Sequence, residues 1–174
     1  MFTGPIQVYS KTGRAVQISS SGEVVLSEDV RGATTFQLVG CRGRGTVSDA
    51  VLPSCFSLMD ANRVDWYVRH QGSFLRINDT DDQPLFDLDS SFVLQSDTFY
   101  TDLYALKSIN LPYYYVTSHA DGRLGIVQRN NIADYYDTAS FRVYDYNSSG
   151  EYLRSSKQCK QCVNCCRKLE VVEI

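Results

Sequence analysis

WYVRHQGSFLRINDTDDQPLFDLDSSF, residues 66–92, is the stretch whose reading decides the fold. WYVRH (66–70) and SFLRI (73–77) are rich in β-branched and aromatic residues and flank a glycine, which predicts a hairpin. The acidic run NDTDD (78–82) reads as a loop. DSSF (89–92) closes the unit, with small hydroxyl residues ahead of a large apolar one. His70 and Asp89 therefore stand at the edges of apolar strand segments.

Weaker copies of this unit lie on either side. Upstream, IQVYS (6–10), AVQI (15–18), VVL (24–26) and TFQLV (35–39) alternate with turns such as KTGR (11–14). Downstream, LYAL (103–106), the segment 113–117, LGIV (124–127) and FRVY (141–144) do the same. First strands begin near residues 6, 56 and 104, and closing strands carry Phe36, Phe92 and Phe141, so both series step by about 50 residues. Each closing phenylalanine follows a small hydroxyl residue: Thr35, Ser91 or Ser140.

Three rounds of four short strands predict an all-β β-trefoil: three four-stranded repeats related by a pseudo-threefold axis, with a closed barrel that leaves no sheet edge exposed. The expected boundaries are a domain over 1–150, with repeats at about 4–40, 54–97 and 102–146, and a Cys-rich C-terminal tail over 151–174. The stretches 78–90 and 128–140 are expected as loops, with room for one short turn in 130–138.

The second round resembles the arabinofuranose-binding (AbfB) module, a carbohydrate-binding β-trefoil found attached to arabinofuranosidases. The resemblance rests on Phe56-Ser57-Leu58, Tyr67-Val68-Arg69-His70, Phe74-Leu75-Arg76-Ile77, the acidic turn at 78–82, Leu85-Phe86 and Asp89-Ser90-Ser91-Phe92. It runs from Phe56 to Tyr144 and touches the first round only weakly. It implies a sugar pocket in which Tyr67, His70 and Asp89 act together, the histidine and aspartate binding hydroxyls. In the third round, counting from Tyr115 puts Ser118 at the histidine position, with His119 one place later. Counting back from Phe141 puts Thr138 at the aspartate position, with Asp137 one place earlier. His119 and Asp137 are thus a second, shifted candidate sugar site. In the first round Ala33 occupies the aspartate position, and no pocket is expected.

The residue chemistry agrees with that implication independently. An ionised aspartate accepts from two hydroxyls, and a neutral histidine donates through one nitrogen and accepts through the other. Tyr67 or Trp66 offers an apolar wall. The competing structural reading has His70 as a satisfied strand histidine and Asp89 as a cap on the turn at Ser90 and Ser91.

Composition removes several classes. A net charge of −3 argues against a phosphate-backbone footprint, so no nucleic-acid partner is expected. No apolar run approaches the roughly 18 residues of a membrane span. The N-terminus has no apolar signal core, which makes the default expectation cytoplasmic, or extracellular if the chain is a processed form. Nothing selects a facing carboxylate pair, G-x-S-x-G does not occur and no phosphate-binding glycine loop is found, so no enzyme activity and no required cofactor are expected.

The tail carries Cys159, Cys162, Cys165 and Cys166 as C-x-x-C-x-x-C-C. If reduced, these thiolates are candidates for one Zn²⁺. Beside Arg167 and Lys168 they are also candidates for S-acylation. If oxidised, they pair within or between chains, and Cys41 with Cys55 closes the inter-round loop. Two function classes follow. One is a non-catalytic, lectin-like module that binds glycan side chains. The other is a protein-interaction β-trefoil, adaptor-like or cytokine-like, with a degenerate sugar pocket and a tail for metal binding, acylation or oligomerisation.

Overall fold

The computed structural model describes residues 2, 4–43, 55–81, 83–146 and 152–154. Strands β1 (Ile6–Ser10), β2 (Ala15–Ile18), β3 (Val24–Ser27) and β4 (Thr35–Gly40) form the first round. The second has β5 (Cys55–Asp60), β6 (Trp66–Gln71), β7 (Phe74–Asp79), helix α1 (Pro84–Asp89) and β8 (Ser91–Ser96). The third has β9 (Tyr104–Ser108), β10 (Tyr114–Ser118), β11 (Leu124–Gln128), helix α2 (Ala133–Thr138) and β12 (Phe141–Tyr146). A short β13 (Tyr152–Arg154) pairs with β12.

Six strands close a ring through successive antiparallel pairings: β1–β4, β4–β5, β5–β8, β8–β9, β9–β12 and β12–β1. The hairpins β2–β3, β6–β7 and β10–β11 bond to one another. Leu26 N donates to Gly122 O at 2.7 Å, Ile77 N to Gly22 O at 2.9 Å and Ile126 N to Ser73 O at 2.9 Å. Their close approach leaves no room at β11, where a Cβ on Gly125 would collide with the Ser73 carbonyl and with His119 Nε2. Closure satisfies backbone donors and acceptors that an open edge would expose.

The core fills the barrel. Val8, Val16, Val24, Leu58, Val68, Leu75, Leu106 and Val116 surround a small apolar void at its centre, with Phe36 and Phe141. Phe36, Phe92 and Phe141, one per closing strand, are 1%, 0% and 1% exposed. Burying each contributes about 1.5–3 kcal/mol. In rounds two and three the hydroxyl residue ahead of the phenylalanine is small because the chain packs closely there: Ser91 and Ser140 are 0% and 1% exposed. Among the described residues no helix is long and apolar enough to cross a membrane.

The expectation of a β-trefoil made of three equivalent four-stranded repeats is corrected. The described sheet has thirteen strands, because β13 extends it beyond β12. Rounds two and three carry a helix before their closing strand, whereas round one has only the 3₁₀ turn Val30–Gly32. The β3–β4 connection is shorter than the β7–β8 and β11–β12 connections and has no room for more. What stands is an all-β closed barrel with unequal rounds. The expected loop at 78–90 is corrected, since α1 lies within it, whereas the short turn allowed for in 130–138 is found as α2. Pro84 sits in the first turn of α1, where a missing N–H costs nothing. Six residues are too few for a helical period to show in sequence. The four tail cysteines lie outside the described residues. Cys41 and Cys55 form a disulfide with their Cα atoms 5.2 Å apart.

Candidate functional site

Strand β6 and helix α1 bring His70 and Asp89 together, and Tyr67 packs against the same helix. Tyr67, Val68 and His70 of β6 are all buried, so both faces of the strand are covered. Tyr67 meets α1 through Phe86, edge to face at 6.4 Å between ring centres. His70 meets it one turn on, where Nε2 lies 3.2 Å from Asp89 Oδ1. The histidine side chain is 6% exposed and that of the aspartate 12%.

That contact is close but poorly aligned, and His70 Nε2 makes no hydrogen bond. Asp89 Oδ1 instead accepts from Asn110 Nδ2 at 2.6 Å. Among the described residues Asp89 Oδ2 has no hydrogen-bond partner. An underused ring nitrogen thus lies beside a carboxylate oxygen with spare capacity. Burial holds the His70 imidazole below its usual range; Asp89 opposes this and Arg69 reinforces it. A neutral imidazole suits hydroxyl recognition, since it both donates and accepts. Asp89 does not cap the turn: Ser90 N donates to Phe86 O at 2.9 Å, and Ser91 Oγ donates to Asp87 O at 2.7 Å.

Arg42 is the residue that sequence reasoning missed. It spans the outer side of α1. Its Nε donates to Asp87 Oδ1 at 2.7 Å and its Nη2 to Thr80 Oγ1 at 2.7 Å. Its guanidinium lies 4.7 Å from the Tyr67 ring centre and 5.6 Å from that of Phe86. Arg69 approaches Phe86 at 4.9 Å, with Nη1 3.8 Å from Asp81 Oδ2. The disulfide holds Cys41 next to Arg42, and Gly43 N donates to Ser91 Oγ at 2.9 Å. The one sequence signal for Arg42 was its position beside a cysteine. Asn110, also missed, carried none.

His119 and Asp137 have separate partners. His119 packs against Phe74 at 5.0 Å between ring centres, and its Nε2 is buried without a hydrogen bond. Asp137, in α2, accepts from Lys11 Nζ and from Tyr100 Oη, each at 2.6 Å. Between Ser118 and Thr138, the positions equivalent to His70 and Asp89, no polar pair forms: Thr138 Oγ1 donates to Tyr135 O at 3.0 Å. Asp81, in the acidic turn, accepts from Gln83 N at 3.0 Å. Among the described residues no group of three or more His, Cys, Asp or Glu side chains is placed to hold a metal.

Known proteins supply the context for this geometry. The alpha-L-arabinofuranosidase B (ABFB) domain family matches residues 46–143. The fold is similar to that of an arabinofuranosidase complexed with arabinofuranosyl-alpha-1,2-xylobiose, at 17% identity and a TM-score of 0.67, over 83% of this chain and 31% of that one. It is similar to a GH54 α-L-arabinofuranosidase soaked with a cyclic sulfate inhibitor, at 17% identity and 0.66, with the same coverage. The chain thus spans about a third of the length of these enzymes. A structure described as "BEL beta-trefoil apo crystal form 3" matches at 10% identity and a lower TM-score of 0.57, over 82% of this chain and 93% of that one. That likeness is one of barrel architecture and leaves the three rounds unequal. The comparison with curated proteins finds no match. The family match covers more than half of the chain and includes β6, α1 and the His70–Asp89 pair, and on that ground the chain belongs to the alpha-L-arabinofuranosidase B (AbfB) domain family.

Proposed function

We propose that the chain is a non-catalytic carbohydrate-binding module that takes arabinofuranosyl side groups of glycans in the second-round pocket. The observation that carries this reading is the buried His70–Asp89 pair, 3.2 Å apart yet without a hydrogen bond between them. A sugar hydroxyl can bridge two such groups, donating to the carboxylate while meeting the imidazole nitrogen. Tyr67, fixed against Phe86 and beneath Arg42, walls the pocket. The family membership and the arabinofuranosyl ligand of a solved structural neighbour point to the same sugar.

Binding here needs no reaction. The pair lies 3.2 Å apart as one acid and one base, not as two carboxylates facing across a cleft that would serve glycoside hydrolysis. The third-round candidates His119 and Asp137 are a weaker part of the proposal, because Asp137 already serves Lys11 and Tyr100. A Zn²⁺ at the tail cysteines remains a separate proposal, resting on the C-x-x-C-x-x-C-C spacing alone.

Calorimetry with arabinofuranosyl-α-1,2-xylobiose tests the reading. The chain is expected to bind it in one site, and His70→Ala and Asp89→Ala are each expected to abolish the heat. A chain that binds no arabinofuranosyl glycan, or whose binding survives both substitutions, would sink the sugar reading and leave the protein-interaction barrel.

A further inference from the structure

The second-round pocket is not made by the second round alone. Asn110, which donates to Asp89 Oδ1 at 2.6 Å, lies between β9 and β10 in the third round. Its connection is pinned on both sides. Ile109 N donates to Ser91 O at 3.3 Å, and Leu111 N to Ser108 Oγ at 3.2 Å. Arg129 N donates to Tyr113 O at 2.8 Å, closing the far end, where Tyr113 takes φ +68°. A bulky residue holds that conformation only when its surroundings impose it. The amide thus reaches Asp89 from a preorganised turn.

We propose that Asn110 is a positioning residue of this pocket, fixing the Asp89 carboxylate so that Oδ2 is the oxygen presented to ligand. The inference rests on the sugar reading of the His70–Asp89 pair. Asn110 and His70 both approach Oδ1, which occupies that oxygen and stops the carboxylate turning about its Cβ–Cγ bond. The chemistry of the donor matters. A lysine or arginine in its place would neutralise Asp89 and compete with a sugar hydroxyl for it. A carboxamide orients the group and leaves its charge available to accept from the ligand. The pocket is therefore a junction of two rounds, and the second-round unit without residue 110 lacks a part of it.

The test uses the full chain, arabinofuranosyl-α-1,2-xylobiose as probe, calorimetry at pH 7 and pH 5, and melting temperatures throughout. Asn110→Ala is expected to weaken binding roughly tenfold, as loss of a hydrogen bond to a charged group should, with little change in melting temperature. Asn110→Asp sets a second carboxylate against Asp89. Two adjacent carboxylates share a proton more readily than either alone, so this variant is expected to bind more weakly than Asn110→Ala at pH 7 and to regain affinity, relative to Asn110→Ala, at pH 5. Wild-type affinity in both variants overturns the proposal. So does a loss in both with no pH-dependent recovery in Asn110→Asp, which marks a purely structural loop. If the wild-type chain does not bind the probe, or Asp89→Ala binds it normally, the sugar reading itself has failed and the inference falls with it.

Discussion

Rounds two and three use the same backbone positions for opposite chemistry. Helix α1 and helix α2 occupy equivalent places, each ahead of a closing phenylalanine. Around α1 the space beside Tyr67 and Phe86 is taken by Arg42, hydrogen-bonded to Asp87 and Thr80. Around α2 the space beside Tyr115 and Tyr135 is taken by Phe99, at 5.3 and 5.8 Å between ring centres and stacked on Tyr136 at 4.9 Å. Burial, reinforced by Tyr115, pushes the Tyr135 phenol up to about 12. His70 and Asp89 give way to Ser118 and Thr138. One round keeps a buried His–Asp pair on a helix flanked by Arg42, while the other fills the equivalent space with stacked rings under Arg129. The barrel tolerates both because its closure depends on backbone pairing and the core phenylalanines, not on what covers each helix.

The sharpest way to break this comparison is to remove the ring on which α1 rests. Phe86 is 1% exposed, so Phe86→Ala is expected to cost about 3–5 kcal/mol by denaturant titration. Tyr135→Phe removes only a hydroxyl that donates to Val127 O at 3.2 Å, and about 1 kcal/mol is expected. Similar losses in the two variants would mean that the rounds do not differ in this way. The disulfide comes next. Cys41–Cys55 closes a loop with a sequence separation of 14, and its loss in a double serine variant is expected to cost about 3 kcal/mol. That loss falls on round two, because Arg42 adjoins Cys41, so glycan affinity is expected to drop while the Phe99 cluster is unaffected. Tyrosine fluorescence or aromatic NMR shifts of that cluster would show whether the damage spreads.

What was legible in the sequence was local. The strands follow from β-branched and aromatic runs between turns, and the closing Phe36, Phe92 and Phe141 follow from a shared hydroxyl-Phe step. His70 and Asp89 stood out because each is a polar residue where an apolar one would serve packing. What stayed hidden depends on distant contacts. Asn110 acts on a residue 21 positions away, and Arg42 on one 45 positions away. No periodicity reports such a pairing. The inequality of the rounds was hidden for another reason: α1 and α2 are too short to register as helices, and Phe99 resembles any loop aromatic until its neighbours are known.

Arg42 offers a finer probe. Arg42→Ala is expected to cost about 1.5–3 kcal/mol, since it strips one charge-assisted hydrogen bond from Asp87 and another from Thr80 and uncovers two rings. Arg42→Met separates the contributions by restoring bulk over Tyr67 and Phe86 without charge. The Arg42 and Asp87 side chains are only 20% and 31% exposed, so the wild-type contribution is expected to change little between low and moderate salt. A strong salt dependence would place the pair at the surface and remove any support it gives to the proposed sugar site.

The smallest expected effect is the most specific to His70. Burial holds the native imidazole below the ordinary histidine value of 6.5, with Asp89 opposing and Arg69 adding to the shift. Above that value the ring is neutral in both the folded and the unfolded chain. As pH falls below 6.5, the unfolded chain takes up a proton that the folded chain still refuses, so unfolding gains ground. The stability present at neutral pH is therefore lost progressively down to the lowered native pKa. His70→Gln removes this titration while keeping a side chain that can donate and accept. The difference in unfolding free energy between wild type and His70→Gln should be constant above neutrality. Below 6.5 the wild type should lose stability faster than the variant. Parallel curves across that window would mean that His70 titrates alike in both states, and the buried neutral imidazole on which the proposed sugar site depends would have to be abandoned.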